Sequence, residues 1–334
     1  MAPGSLCPVE CCGNLSVRID GVRRMRWQTL SGAAPRIIAH RGASGHRPEH
    51  TLDAYSLAVL QGADVLEPDL VASRDGVLYA RHDLGLARST DIAARHHFAD
   101  RCREIAGERN WWISDLDAAE IDGLRSIQPV PERGRQYDGH FVVPRFGQVL
   151  DLVREAGRTR PTRLIVDAEI KHPEYFAALG IDLIAALRRE LEPRALTGPT
   201  APVWLECFDH GFLRTAHERC GNACFALVET LPDDTAARDA LLQGLAGWAS
   251  GIAVAKYLLW DRSGRDSGVG DAAHAHGLEI HAWTFRDDRP PAPFANARDE
   301  LFAAFALGVD ALFCDFPDTA VAARREFAAL NERR

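Results

Sequence analysis

Four pairs of charged or titratable residues stand at the ends of apolar runs in this chain: His40-Arg41, Glu67 with Asp69, His82-Asp83, and Glu169 with Lys171. A buried strand has no use for such groups, because removing a charge from water without a partner is costly. Glu67 and Asp69 are two positions apart, as are Glu169 and Lys171, so each pair shares one side of an extended strand. Three carboxylates brought to one place repel one another and titrate upward unless a cation neutralises them. Oxygen-only donors favour a hard divalent ion, Ca2+ or Mg2+, over zinc. His40 and His82 are spare from that ligation and suit general acid and general base work near neutral pH. Arg41 and Lys171 are donors for an anion that the metal would share. The set describes phosphoryl chemistry, in which cations stabilise the non-bridging oxygens while one imidazole activates and the other protonates. Each feature taken singly has a structural reading, Glu-x-Asp as a salt-bridged surface pair and a strand-end His as a packing residue. Their coincidence at matching strand ends favours a site.

The elements that must hold these residues are short apolar runs alternating with amphipathic ones. "RIIAH", "ADVLEPDLV", "LIVDAEI", "PVWLECF", "CFALVE", "GIAVAK", "LEIHAW" and "DALFCD" read as strands. Stretches such as "HTLDAYSLAVLQG" and "IDLIAALRREL" between them read as helices. Strands alternating with helices of about ten to fifteen residues imply parallel βαβ units. Eight such units imply an α/β fold closed as a (β/α)8 TIM-type barrel, whose site lies where strand C-termini meet the loops. "VLYARHD" does not fit the count; it follows "SRDG", and Asp-Gly between apolar runs signals a hairpin. It is expected to fold back after the second barrel strand. Residues 84–143 keep no βα period and read as an insertion above the barrel.

The net charge of -8 lacks the basic excess that a backbone-binding nucleic-acid protein needs. It leaves an anionic substrate open, since a few cations in a pocket override the global sign. No apolar run approaches the roughly 20 residues of a membrane span. Residues 1–35 read as an unstructured lead-in and 36–325 as one catalytic domain. The lead-in has arginines but no continuous apolar core of a signal peptide, so a cytoplasmic location is expected on that ground. The 8 cysteines are too sparse for a disulfide framework, and Cys220 and Cys224 lack the second pair of a closed zinc site.

With these residues in place, the chain resembles the glycerophosphodiester phosphodiesterases. "HRGASGHRPEHTLDAYSLAVLQGADVLEPDLVASRDGVLYARHD" carries that family's H-R-G, P-E-[NH]-T, G-A-D-x-x-E-x-D, D-G and H-D run. "AEIK", "HAWTF" and "GVDALFCDFPD" match its later strands, so the resemblance extends from Arg36 to about Ala323. It is similar to the longer, periplasmic-type bacterial branch, which suggests a periplasmic location instead. The resemblance implies Glu67, Asp69 and Glu169 as ligands of one divalent cation, His40 and His82 as the acid/base pair, and Arg41 and Lys171 as phosphate contacts. It further implies that Glu49 supports the metal site and that Trp283 lines a glycerol pocket. Cys207, Cys314 and Glu206 depart from the Ser, Thr and Gln common there. The implied reaction splits a small-molecule glycerophosphodiester into glycerol 3-phosphate and an alcohol. Two alternatives stand beside it: a phospholipase D-like enzyme on lipid phosphodiesters, for which "NWWIS" is the only exposed-patch candidate, and a non-catalytic phosphoester-binding barrel. The head-group alcohol, the metal, the roles of the two histidines and the oligomeric state stay open.

Overall fold

The computed structural model describes residues 27–332, except residue 262. The first strand, β1 (Arg36–His40), is followed by β2 (Val65–Glu67), β3 (Asp69–Ala72), β4 (Leu78–Ala80), β5 (Arg103–Ile105), β6 (Glu108–Asn110), β7 (Ile165–Ile170), β8 (Val203–Cys207), β9 (Cys224–Val228), β10 (Gly251–Ala255), β11 (Glu279–Phe285) and β12 (Ala311–Cys314). β2 and β3 are one barrel strand interrupted at Pro68, which has no N–H to give to a neighbour. β1 pairs β12 and β2, β2 and β3 both pair β7, and β7 to β12 follow in order, all parallel. This is a closed eight-stranded (β/α)8 barrel, as the alternation of runs predicts.

β4 folds back antiparallel onto β3, so the Asp-Gly run is a hairpin outside the barrel count. The inserted region holds the antiparallel ribbon of β5 and β6 and several short helical turns, with no βα unit. Its tryptophans are packed, not displayed. The Trp111 indole donates to Phe98 O at 2.6 Å, and that of Trp112, 6% exposed, donates to Arg103 O. The "NWWIS" stretch is therefore no surface patch, and the lipid-surface reading loses the feature that motivated it.

Alternation along the strands splits the apolar residues into two sets. The larger cluster fills the space between the barrel and its helices. The smaller one, with Ile38, Val65, Trp204, Phe225, Ala253 and Phe313, comes from strands all round the ring and so plugs its interior. Above this plug the inward positions become polar, which places the site at one mouth.

Two expectations need correction. Residues 1–26 of the lead-in lie outside the described residues, but Trp27–Pro35 are placed against the barrel. The Trp27 ring stacks on Phe327 at 5.1 Å between centroids, and Leu30 N donates to Asp310. Aromatic burial, invisible to a composition-based reading, orders this stretch. The last helix, Pro317–Glu332, also continues past the expected end at 325. Among the described residues no helix is long and apolar enough to cross a membrane.

Candidate active site

His40 ends β1, and the turn after it aims the site's first cation. Arg41 takes a left-handed φ of 60°, and its N–H donates to Glu67 Oε2 at 2.8 Å. Gly42 follows at φ 83°, where a Cβ would come within 2.7 Å of the Ala54 carbonyl carbon. Only glycine fits this turn, because it must be left-handed and pressed against the first helix at once.

Glu67, Asp69 and Glu169 converge as expected. Each offers a carboxylate oxygen, and these oxygens lie within 4.8 Å of one another. Asp69 and Glu169 are register partners between β3 and β7. Glu67 Oε1 has no hydrogen-bond partner among the described residues. Asp69 Oδ1 and Glu169 Oε1 lie 3.1 and 2.5 Å from the Lys171 ammonium. Arg41 Nε lies 3.0 Å from the other Asp69 oxygen.

The electrostatics follow from that geometry. Burial and the neighbouring Asp69 and Glu169 charges push the Glu67 carboxyl well above its ordinary value. Burial raises Glu169 to about 8, with Asp69 adding to the rise and Lys171 opposing it. Burial also opposes ionisation of Asp69, yet Lys171 and Arg41 hold it well below the usual range. Lys171 and Arg41 thus hold one carboxylate ionised, while Glu67 and Glu169 resist ionisation until further positive charge is supplied. A hard divalent cation fits them, and a soft or imidazole-seeking one does not.

His40 lies beside the triad with Nδ1 2.7 Å from Asp315 Oδ1. Burial, aided by Arg41 and opposed by Asp315, lowers its pKa to about 4. The imidazole is therefore neutral near pH 7, with Nδ1–H donated to Asp315 and the Nε2 lone pair left over. His82 follows the hairpin strand, with Nδ1 2.6 Å from Asp83 Oδ1 and about a third of its side chain exposed. Burial opposes ionisation of Asp83, but His82 and the arginines Arg88 and Arg81 keep it well below the usual carboxylate range.

Glu49 does not join the carboxylate group; it accepts from Arg41 Nη1 at 3.0 Å and so steadies the cation. Trp283 donates to Ala253 O and meets Phe208 edge-on at 5.9 Å, and Phe208 in turn lies 6.0 Å from Lys171 Nζ. The two rings form an apolar wall on the Lys171 side, with Phe208 46% exposed.

Several residues here had no assigned role. His50, at φ 61°, reaches Asp69 through Nε2 and Tyr55 through Nδ1, each at 2.9 Å. Asp315 directly follows β12 and is legible by the same strand-end rule that singled out the others. Asp167 lies one inward position deeper on β7, and Glu206 on β8 is the register partner of Glu169; both are buried, with oxygens that find no partner among the described residues. Arg133, from the inserted region, had no sequence signal.

The chain matches the model of the glycerophosphoryl diester phosphodiesterase family over residues 40–319. It is 25% identical to a glycerophosphodiester phosphodiesterase of Haemophilus influenzae over 329 residues, covering 85% of this chain and 88% of that one. A glycerophosphodiester phosphodiesterase of Arabidopsis thaliana is 35% identical over 150 residues, which span 44% of this chain and only 39% of the relative. In three dimensions it is similar to an Oleispira antarctica phosphodiesterase solved in complex with the product sn-glycerol-3-phosphate, with a TM-score of 0.65, 22% identity, and 88% and 98% of the two chains covered.

Proposed function

Because this chain belongs to the glycerophosphoryl diester phosphodiesterase family and is a phosphoric diester hydrolase, we propose that it hydrolyses glycerophosphodiesters to glycerol 3-phosphate and an alcohol, with one divalent cation, Ca2+ or Mg2+. The observation that carries this reading is the buried Glu67–Asp69–Glu169 oxygen cluster, flanked by two carboxylate-backed histidines and two cations. Glu67, Asp69 and Glu169 would hold the metal, which when bound supplies positive charge to the non-bridging phosphate oxygens.

The protein's own residues account for the rest. Arg41 and Lys171, already ion-paired within the cluster, orient the phosphodiester by charge and hydrogen bonding. Neutral His40, its Nδ1–H committed to Asp315, accepts the proton of the attacking hydroxyl at Nε2. His82, on a separate element, hands a proton to the departing alkoxide, and Asp83 supplies the compensating charge for its imidazolium. This division of labour is favoured by burial, since a histidine whose pKa is lowered to about 4 holds almost no proton to give at pH 7. Trp283 and Phe208 offer an apolar wall for the carbon skeleton of the glycerol.

The test is a Ca2+- or Mg2+-supplemented assay of glycerophosphocholine, glycerophosphoethanolamine and related diesters with product analysis. Glycerol 3-phosphate and free alcohol are expected. Release of free glycerol with a phosphorylated head group, or no turnover, overturns the reading. Cyclic phosphate among the early products marks attack by the substrate's own hydroxyl, and its absence marks water.

A further inference from the structure

Asp315 has two acceptor oxygens, and only one belongs to His40. The other is 2.5 Å from Arg133 Nη2 and 3.2 Å from Arg286 Nε. Arg133 comes from the inserted region, yet its guanidinium is almost wholly buried, and each of its three nitrogens meets a different acceptor. Nε donates to Asp288 at 2.7 Å, Nη2 to Asp315, and Nη1 to Ser44 O at 3.2 Å. Ser44 lies in the turn that follows β1, and its hydroxyl donates to His40 O at 2.9 Å. Gln128, on the same stretch of the insertion, adds donations to Ser44 O and Arg47 O. The insertion therefore grips His40 from two sides, through its carboxylate partner on the last strand and through the turn that follows it.

We propose that Arg133 is a positioning residue for His40, acting through Asp315 and the Ser44 turn, so that the inserted region is part of the acid–base machinery. The proposal rests on the reading of His40 as a catalytic group. An anchoring arginine needs one good carboxylate, and Asp288 already supplies it. The remaining two donations go to the two structures that fix the imidazole. Lysine cannot reproduce this, because one ammonium on a flexible stem does not present a planar fork to three acceptors in fixed directions.

The charged groups around His40 include Arg41, Asp69, Asp315 and Glu67, the register partner of His40, and those around Asp315 include His40, Arg133 and Arg286. Removing the Arg133 charge leaves the Asp315 carboxylate less neutralised, which favours protonation of His40. The test uses the full chain with 13C-labelled histidine, assigning His40 by the H40N spectrum, and compares wild type with R133Q, R133K and R286Q. R133Q and R133K are expected to titrate His40 upward by about half a pH unit or more, the direction expected of a carboxylate freed of its cation. They are also expected to lower kcat by roughly 10- to 100-fold with KM within about twofold, the scale on which supporting hydrogen bonds act. R286Q, a longer and more exposed contact, should change both less. Should R133Q fail to fold, D288A serves in its place, because it loosens the guanidinium without touching Asp315. A folded R133Q or D288A with unaltered His40 titration and kcat overturns the proposal. If H40N keeps full turnover, the acid–base reading of His40 falls, whereas the titration still reports whether Arg133 controls the ring.

Discussion

The Lys171 ammonium lies 2.5 Å from Glu169 Oε1, inside the carboxylate group that a metal would use. Lysine and metal thus draw on the same negative charge. Chelation should abolish turnover, and Ca2+ or Mg2+ should restore it, as read by the diester assay. Full activity after exhaustive chelation removes the metal from the mechanism. E169Q should raise the metal concentration needed for half-activity steeply, because charge is lost from a small set of oxygen donors. Saturating cation should also raise the melting temperature of wild type, because binding stabilises the native state by about 2.7 kcal/mol at 100 times Kd.

Lys171→Ala should lower kcat/KM more than Lys171→Arg. Arginine should not restore the wild-type value, since a bulky planar fork replaces a compact point charge held between Asp69 and Glu169. Wild-type kcat/KM in both variants takes Lys171 out of the site.

The two histidines should part company when the leaving group changes. Each positioned proton transfer contributes roughly 10²–10⁴ in rate. His82→Ala should lose about that factor on a choline ester and regain most of it on a nitrophenyl ester, whose alkoxide leaves without a proton. His40→Ala should lose activity on both. The reverse pattern exchanges their roles, and near-wild-type turnover of both on the choline ester discards the pair.

Proton release should accompany metal uptake. Glu169, raised to about 8 without metal, must shed its proton to bind a cation. Apparent affinity should therefore rise with pH up to about 8, with the proton count given by calorimetry in buffers of different ionisation enthalpy. The same shift acts on folding. Native Glu169 keeps its proton where the unfolded chain has lost it, so the metal-free protein should lose stability as pH climbs from about 4.5 to 8. His40 acts oppositely: its native pKa near 4 lies below the ordinary 6.5, so its contribution is intact above that and declines as pH falls toward 4.

Gly42→Ala should damage both fold and turnover. The new Cβ meets the Ala54 backbone at 2.7 Å in a left-handed turn, costing on the order of 1–3 kcal/mol. Thermal melting should register the loss, and kcat should fall further than stability alone explains, since His40 and Arg41 immediately precede this turn.

The candidate-site groups were legible wherever a charged residue broke an apolar strand. Glu67, Asp69 and Glu169 each interrupt a run that is otherwise buried, and the alternation of strands fixes which side they face. The barrel itself followed from the same periodicity. What escaped were contacts between distant segments. Arg133 sits in a stretch without period, and nothing local marks its three acceptors. His50 was quoted within the Pro-Glu-His-Thr run, but its reach to Asp69 depends on the left-handed turn that only the folded chain displays. Glu49 pairs with Arg41 instead of joining the carboxylates, a choice set by side-chain direction, which sequence spacing does not encode.

His40 stands on the first strand of the ring and Asp315 at the end of the last, 275 positions later. Synthesis proceeds from the amino terminus, so a nascent chain halted before Asp315 already carries the three carboxylates, both imidazoles, Arg41 and Lys171. It still lacks the partner that sets the His40 tautomer. If His40 acts as proposed, hydrolytic competence arrives with the closing strand, and products truncated before Asp315 should be silent.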